Sequence, residues 1–214
     1  MAEVIDEKIT SLLREASEWR LISLLFECPS EEWLAQITAL GGEVADPVLR
    51  ESASQALDQS GEGLYHSAFG PGGPAPPREV SYSDSVQLGY LVAELEAYYG
   101  AFGFHPVTAE PSDHVSIESA FLSFLRVKEA YARLTGDIEQ AVLTAEAAGN
   151  FLRDHLSWMA EPLSARLNES GIGYLAAVGS ALLERVGPSR PRMALPGPFP
   201  VIPEETEFDC SEAP

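Results

Sequence analysis

An all-α fold is what this sequence predicts, and three observations carry that reading. Apolar residues recur at helical spacing through most of the chain. Helix-starting and helix-stopping residues bracket those runs. No convincing segment alternates apolar and polar residues between hairpin turns, as a half-buried strand would.

Leu12, Ala16, Trp19, Ser23 and Phe26 step by four and three residues in turn, which predicts one long helix over about 4–26 with a single buried stripe. Pro29 ends it. Ser30 is placed to cap a second helix through Leu40, which Gly41 and Gly42 are expected to close. A third helix is predicted over Pro47–Gln59. Ala120, Phe124, Val127, Tyr131 and Leu134 repeat the spacing in a helix that follows an acidic turn and stops at Gly136. Asp137 with Gln140 resembles a capping box for the next run, 138–167, which is expected to break near Pro162. Ile172, Leu175, Ala176, Gly179, Leu182 and Val186 mark a final amphipathic helix. The expected architecture is a single helical domain of about eight or more helices over 1–186.

Two stretches break the pattern. Residues 70–83 hold Pro71, Pro74, Pro76 and Pro77 with three glycines, so they must form a long loop. From Gly187 onward, prolines at 188, 191, 196, 198, 200, 203 and 214 leave few core positions. Residues 187–214 are therefore expected to be an extended, acidic, proline-rich tail.

The 214 residues are 45% hydrophobic, enough to bury a real core. The net charge of -20 comes from 33 acidic against 13 basic side chains. Such a surface repels nucleic acid and anionic membranes and attracts cationic partners, for example a peptide carrying arginines. The same acidity also serves solubility alone. Cys28 and Cys210 form neither a disulfide framework nor a zinc pattern, which fits a reducing compartment. Glu3, Asp6 and Glu7 stand where a signal peptide would need positive charge, and the weakly polar run 172–183 is too short to span a bilayer. A cytoplasmic protein without stable membrane insertion is expected.

Glu110-Pro111-Ser112-Asp113-His114 packs a proline turn, two carboxylates and an imidazole into a helix start. Pro111 biases Glu110 away from helical geometry, Asp113 suits the N-cap, and His114 and Glu118 share one helix face. A well-capped junction accounts for this run, and so does a site. Asp113, His114 and Glu118 could also serve a small metal-dependent hydrolase. A third fixed ligand is not evident, because His105 lies in a loop while His66 and His155 belong to other segments. No nucleophile elbow, phosphate-binding loop or dinucleotide fingerprint occurs. No catalytic residue, metal or cofactor is expected.

Tyr65, Phe69, Pro71, Pro76, Pro77, Tyr82 and Asp84 frame the internal loop. Prolines lower the entropy lost in holding one shape, and aromatics offer flat apolar surface with polar tips, properties that suit an extended or helical peptide. For Tyr65 and Phe69 a place in the core fits equally well. Phe151, His155 and Trp158, at helical spacing, read as a core stripe with a satisfied histidine.

Four stretches together resemble the TorD/DmsD/NarJ family, cytoplasmic chaperones that assist maturation of molybdenum-containing oxidoreductases. They are 19–33 (Trp-Arg-Leu-Ile-Ser-Leu-Leu-Phe-Glu-Cys-Pro-Ser-Glu-Glu-Trp), 64–83 with its Tyr-x-x-x-Phe-Gly-Pro and Pro-Pro elements, 110–125 with Glu-Pro-x-Asp-His, and 151–158. The resemblance implies a hinge near 102–114 between an N-terminal part, 1–101, and a C-terminal part, 114–186. It implies a partner too: the N-terminal region, often a twin-arginine signal peptide, of a molybdoenzyme catalytic subunit. The implied peptide-binding residues are Tyr65, Phe69, Pro71, Pro76, Pro77, Tyr82, Glu110, Asp113 and His114, the carboxylates pairing with guanidinium groups. Both a monomer and a domain-swapped dimer are compatible with it. Two features depart from the family: Arg78-Glu79-Val80 separates the Pro-Pro pair from Ser81-Tyr82, and the tail has no counterpart. A generic acidic helical adaptor is the remaining alternative.

Overall fold

The computed structural model describes residues 2–82 and 87–188, with side chains from residue 7 onward. Asp84 and the tail from residue 189 lie outside the described residues. Helix α1 (Ala2–Leu25) is followed by α2 (Glu31–Glu43) and α3 (Pro47–Gln59). The Ser30 hydroxyl accepts from the Trp33 amide at 3.2 Å, the expected cap of α2. Helix α2 nevertheless runs through both glycines to Glu43. A side chain at Gly41 would press on the Ala53 methyl of α3, so this glycine serves helix packing and not termination. Asp46 caps α3 through the amides of Val48 and Leu49, with Pro47 in the first turn.

Helices α4 (Glu62–Phe69) and α5 (Leu88–Phe102) flank the internal loop, and a short 3-10 turn occupies Glu79–Tyr82. Neither helix was anticipated, although Leu91, Leu95 and Tyr99, all buried, repeat every four residues. Helices α6 (Val115–Thr135) and α7 (Ile138–Phe151) form a hairpin around Gly136, which takes the left-handed conformation, φ 78°. Asp137 accepts from the Gln140 amide at 3.0 Å, as the capping pattern predicts. A π segment (Leu152–Leu156) links α7 to α8 (Ser157–Glu169), and α9 (Gly173–Val186) follows.

The expected break at Pro162 therefore lies upstream of it, and Pro162 sits inside α8. Side chains compete for carbonyls in the widened turn. The Ser157 hydroxyl takes the Arg153 carbonyl at 2.6 Å and the Trp158 indole takes that of Asp154 at 3.0 Å.

Helix α1 lies along α6, α6 packs on α7, α8 on α9, and α3 on α9. One core cluster runs from Trp19 to Leu182 and draws on both ends of the chain. At its centre Phe121 meets Tyr99 at 4.9 Å and Phe151 at 4.8 Å, ring centre to ring centre. Helix α6 buries Phe121, Leu122, Leu125 and Glu129 between its neighbours. The stripe read from the sequence points the other way: Val127, Tyr131 and Leu134 are 47%, 66% and 70% exposed. Among the described residues no strand forms; Arg78 and His114 make an isolated antiparallel bridge. No described helix is long and apolar enough to cross a membrane.

Candidate functional site

The internal loop leaves α4 in a tight coil. The Gly73 amide donates to the Gly70 carbonyl at 2.8 Å, and the Ala75 amide returns to that of Ala68 at 3.1 Å. A Cβ at Gly73 would collide with the Ala68 backbone carbonyl, which cannot swing aside as a side chain could. Gly73→Ala is expected to cost about 1–3 kcal/mol, measured by urea unfolding, as an overpacked site does. A change within about 0.5 kcal/mol would mean that the coil is soft.

Beyond the coil the loop is tied to the acidic turn. The Glu79 amide donates to the Asp113 carbonyl and the Val115 amide to that of Pro77, both at 2.8 Å. The Arg78 guanidinium grips Asp113 from two nitrogens, at 2.8 and 2.7 Å, a charge-assisted fork. Asp113 is fully buried. It does not cap α6, and it does not offer its charge outward, because Arg78 already occupies it. The cap is His114, whose Nδ1 accepts from the Ser116 amide at 3.2 Å and lies 2.7 Å from the Ser116 hydroxyl.

An accepting Nδ1 places the imidazole proton on Nε2. That nitrogen faces the Tyr65 hydroxyl at 3.4 Å and Glu110 at 3.8 Å. The Tyr65 hydroxyl in turn donates to Glu110 at 3.3 Å. Burial, and then the Arg78 charge, push the His114 imidazolium down to about 3, so the ring is neutral at ordinary pH. Burial and the Glu110 carboxylate likewise hold the Tyr65 phenol protonated, far above its usual range. Glu110 is thus oriented by the neutral Tyr65 phenol, which the neutral His114 ring backs, and no described lysine or arginine reaches it. Its side chain is 32% exposed. Burial raises the Cys28 thiol, and so do the charges of Glu62 and Glu110, which marks this corner as negative.

Beside this corner a cleft of about 240 Å³ opens between α1, α6 and residues 104–108. Phe104, Ile117, Ala120 and Phe124 give it an apolar lining, with Arg20 from α1 and Glu27 just past its end at the edge. It is continuous with the corner. Thr108 and Ser116 line the cleft, and they bond the Glu110 amide and the His114 ring respectively. Past Phe124 the exposed face of α6 extends it through Val127, Tyr131 and Leu134.

A second group lies beneath the loop. Glu79 is buried and its carboxylate is 3.1 Å from Nδ1 of His155, carried by the π segment. Glu118 is fully buried and neither of its oxygens has a hydrogen-bond partner. Burial, then the charges of Glu79 and Asp113, raise its carboxyl well above the usual range.

Of the residues singled out from the sequence, Tyr65, Glu110 and His114 converge on one corner. Phe69 is buried against the rings of Tyr65 and Phe26. Pro76 and Pro77 act through backbone carbonyls, which accept from the Tyr82 hydroxyl at 2.7 Å and the Val115 amide. Tyr82 lies under the Arg166 guanidinium, and Pro71 is exposed. The loop aromatics are thus packed inward and form no open platform. The set Asp113, His114 and Glu118 is not assembled around one point, and no metal-ligand cluster occurs among the described residues. His155 finds its partner in Glu79, and Phe151 belongs to the core. Sequence reasoning missed the cleft and the roles of Arg78 and Glu79. Their signal was two adjacent charges inside a segment of prolines and aromatics.

A family model for the nitrate reductase delta subunit matches residues 36–164. Among solved structures, one of a proposed redox enzyme maturation protein from Archaeoglobus fulgidus has a similar fold, with a TM-score of 0.53 at 22% identity. The similarity covers 80% of this chain and 93% of that one. No protein of curated function matches.

Proposed function

The chain belongs to the nitrate reductase delta subunit family of redox enzyme maturation chaperones for molybdoenzymes, and from that premise we propose what it holds and where. It binds the N-terminal leader of a molybdenum-cofactor oxidoreductase catalytic subunit in the cytoplasm. It retains that subunit until cofactor is inserted, before export or membrane attachment. It acts by binding and not by catalysis.

The observation that carries this reading is Glu110: a carboxylate bonded by Tyr65, itself backed by His114, without a described cationic partner, at the end of an apolar cleft. A leader with a basic residue beside an apolar face matches both features. Its guanidinium or ammonium pairs with Glu110 while its apolar side chains enter the cleft and lie along α6. The net charge of -20 adds a long-range attraction for a basic segment. Tyr65, backed by His114, sets the carboxylate, and Asp113 holds the turn through Arg78.

Glu110→Gln is expected to weaken binding of a synthetic leader peptide about 1.5- to fivefold, the range of a partly exposed charge pair. Wild-type affinity is expected to fall with rising salt, and the variant's to fall less. The peptide is a synthetic leader with paired arginines beside an apolar run, and binding is read by calorimetry. Equal affinity and equal salt dependence in the two proteins would remove Glu110 from the site.

A further inference from the structure

The group beneath the loop has a charge balance that the binding corner does not explain. Three carboxylates, Glu79, Asp113 and Glu118, are enclosed together, each at most 1% exposed. Among the described residues, two groups able to carry positive charge touch them, Arg78 on Asp113 and His155 on Glu79. Even with His155 protonated, the enclosure is neutral only when one carboxyl carries a proton. A sealed surplus charge is costly, and such groups protonate instead.

The geometry singles out which one. Asp113 accepts from Arg78, and Glu79 faces Nδ1 of His155. Glu118 has no hydrogen-bonding partner at either oxygen. Around it stand Glu79 from the 3-10 turn, Asp113 with Arg78 from the turn and loop, and Tyr99 from α5. The Tyr99 hydroxyl is committed to the Ser112 carbonyl at 2.8 Å. From α1, Glu15 is neutralised by Arg126 two turns further on, and Arg20 is committed to Glu27. Among the described residues no cation is therefore directed at Glu118.

We propose that the carboxyl group of Glu118 stores a proton that latches the 76–82 segment against α6 and the π segment, and that loss of this proton releases the segment. With the proton in place, Glu79 and Asp113 see a neutral neighbour and keep their ties to His155 and Arg78. When solvent base removes it, leaving a carboxylate and water, a third negative charge stands against both. The ties that span the gap are the ones then strained: the amides of Glu79 and Val115 on the carbonyls of Asp113 and Pro77, and the Glu79–His155 contact. The turn that carries Glu110 and His114 is the same turn that carries Asp113. The latch therefore regulates the shape of the binding corner. This goes beyond leader binding and is tested without any client, so its failure leaves the chaperone reading untouched.

Amide hydrogen exchange of Glu79 and Val115, compared across pH as protection factors, reads the latch directly. In the wild type, protection is expected to fall about tenfold per pH unit above the ordinary carboxylate range and to level off where Glu118 ionises in the latched state, the slope of a single linked proton. In Glu118→Gln, which keeps the shape and stays neutral, that fall is expected to vanish. Equal slopes in the two proteins would overturn the proposal. Should Glu118→Gln fail to fold, infrared spectroscopy of the wild type decides. A protonated-carboxyl stretch is expected in the folded protein at neutral pH and should be lost on unfolding. Its absence would overturn the proposal as well.

Discussion

Asp113→Ala is expected to lower the unfolding free energy by about 3–5 kcal/mol, the cost of removing one partner from a buried ion pair. The carboxylate is fully buried, and Arg78 meets it with two nitrogens. Its loss strips the Arg78 guanidinium of the oxygen that accepts from both its nitrogens, and removes the ion pair that reinforces the bridge between loop and turn. For a chain of this length the loss corresponds to a fall in melting temperature of about 6–20 °C. Replacing both partners together, Arg78→Met with Asp113→Leu, is expected to recover much of it, because no unpaired charge remains. A loss below about 1 kcal/mol for Asp113→Ala would place this pair with ordinary surface pairs, which are worth little.

Acid is expected to destabilise the protein through one imidazole. His114 titrates at about 3 when folded against an ordinary 6.5. A group with a depressed folded value contributes stability that is fully present above 6.5 and is lost as pH falls, because the unfolded chain takes up the proton first. Between pH 6.5 and about pH 4 the loss is roughly 3 kcal/mol, at about 1.4 kcal/mol per unit. His114→Asn removes the titration and keeps a side chain able to cap α6. Urea midpoints followed across that range should fall more steeply for the wild type than for the variant. Parallel curves would show that His114 is accessible to water. Glu118 works in the opposite sense: its raised carboxyl contributes stability below the ordinary carboxylate range that is lost as pH rises through its folded value.

Local signals in the sequence located most helices. Pro47 and Ser30 are local start signals, so α3 and the start of α2 could be placed from a few residues each. Periodicity reports spacing and does not say which of two apolar faces the core will choose. On α6 both Phe121–Leu125 and Phe124–Val127–Tyr131–Leu134 are apolar, and the position of α1 and α7 decided for the first. The stretch from Glu110 to His114 was legible as a special place because its residue types are unusual together. Its wiring was not legible. Asp113 finds Arg78 35 residues away and Glu79 finds His155 76 residues away. Pairing over such separations is set by the packing of whole helices, and nothing near either residue announces it.

The π segment between α7 and α8 makes chain length itself a constraint. A regular helix turns about 100° and advances about 1.5 Å per residue. Deleting one residue within 152–156 would let α7 and α8 merge into an unbroken helix, with everything downstream rotated and drawn back by that amount. His155 would swing away from Glu79, and Met159 and Leu163 would turn out of the core. Substitutions here leave the register intact, whereas a single-residue deletion misaligns a whole helix. Natural variants of this chain should therefore keep the number of residues in this stretch fixed even where its exposed letters, such as Arg153 and Asp154, change.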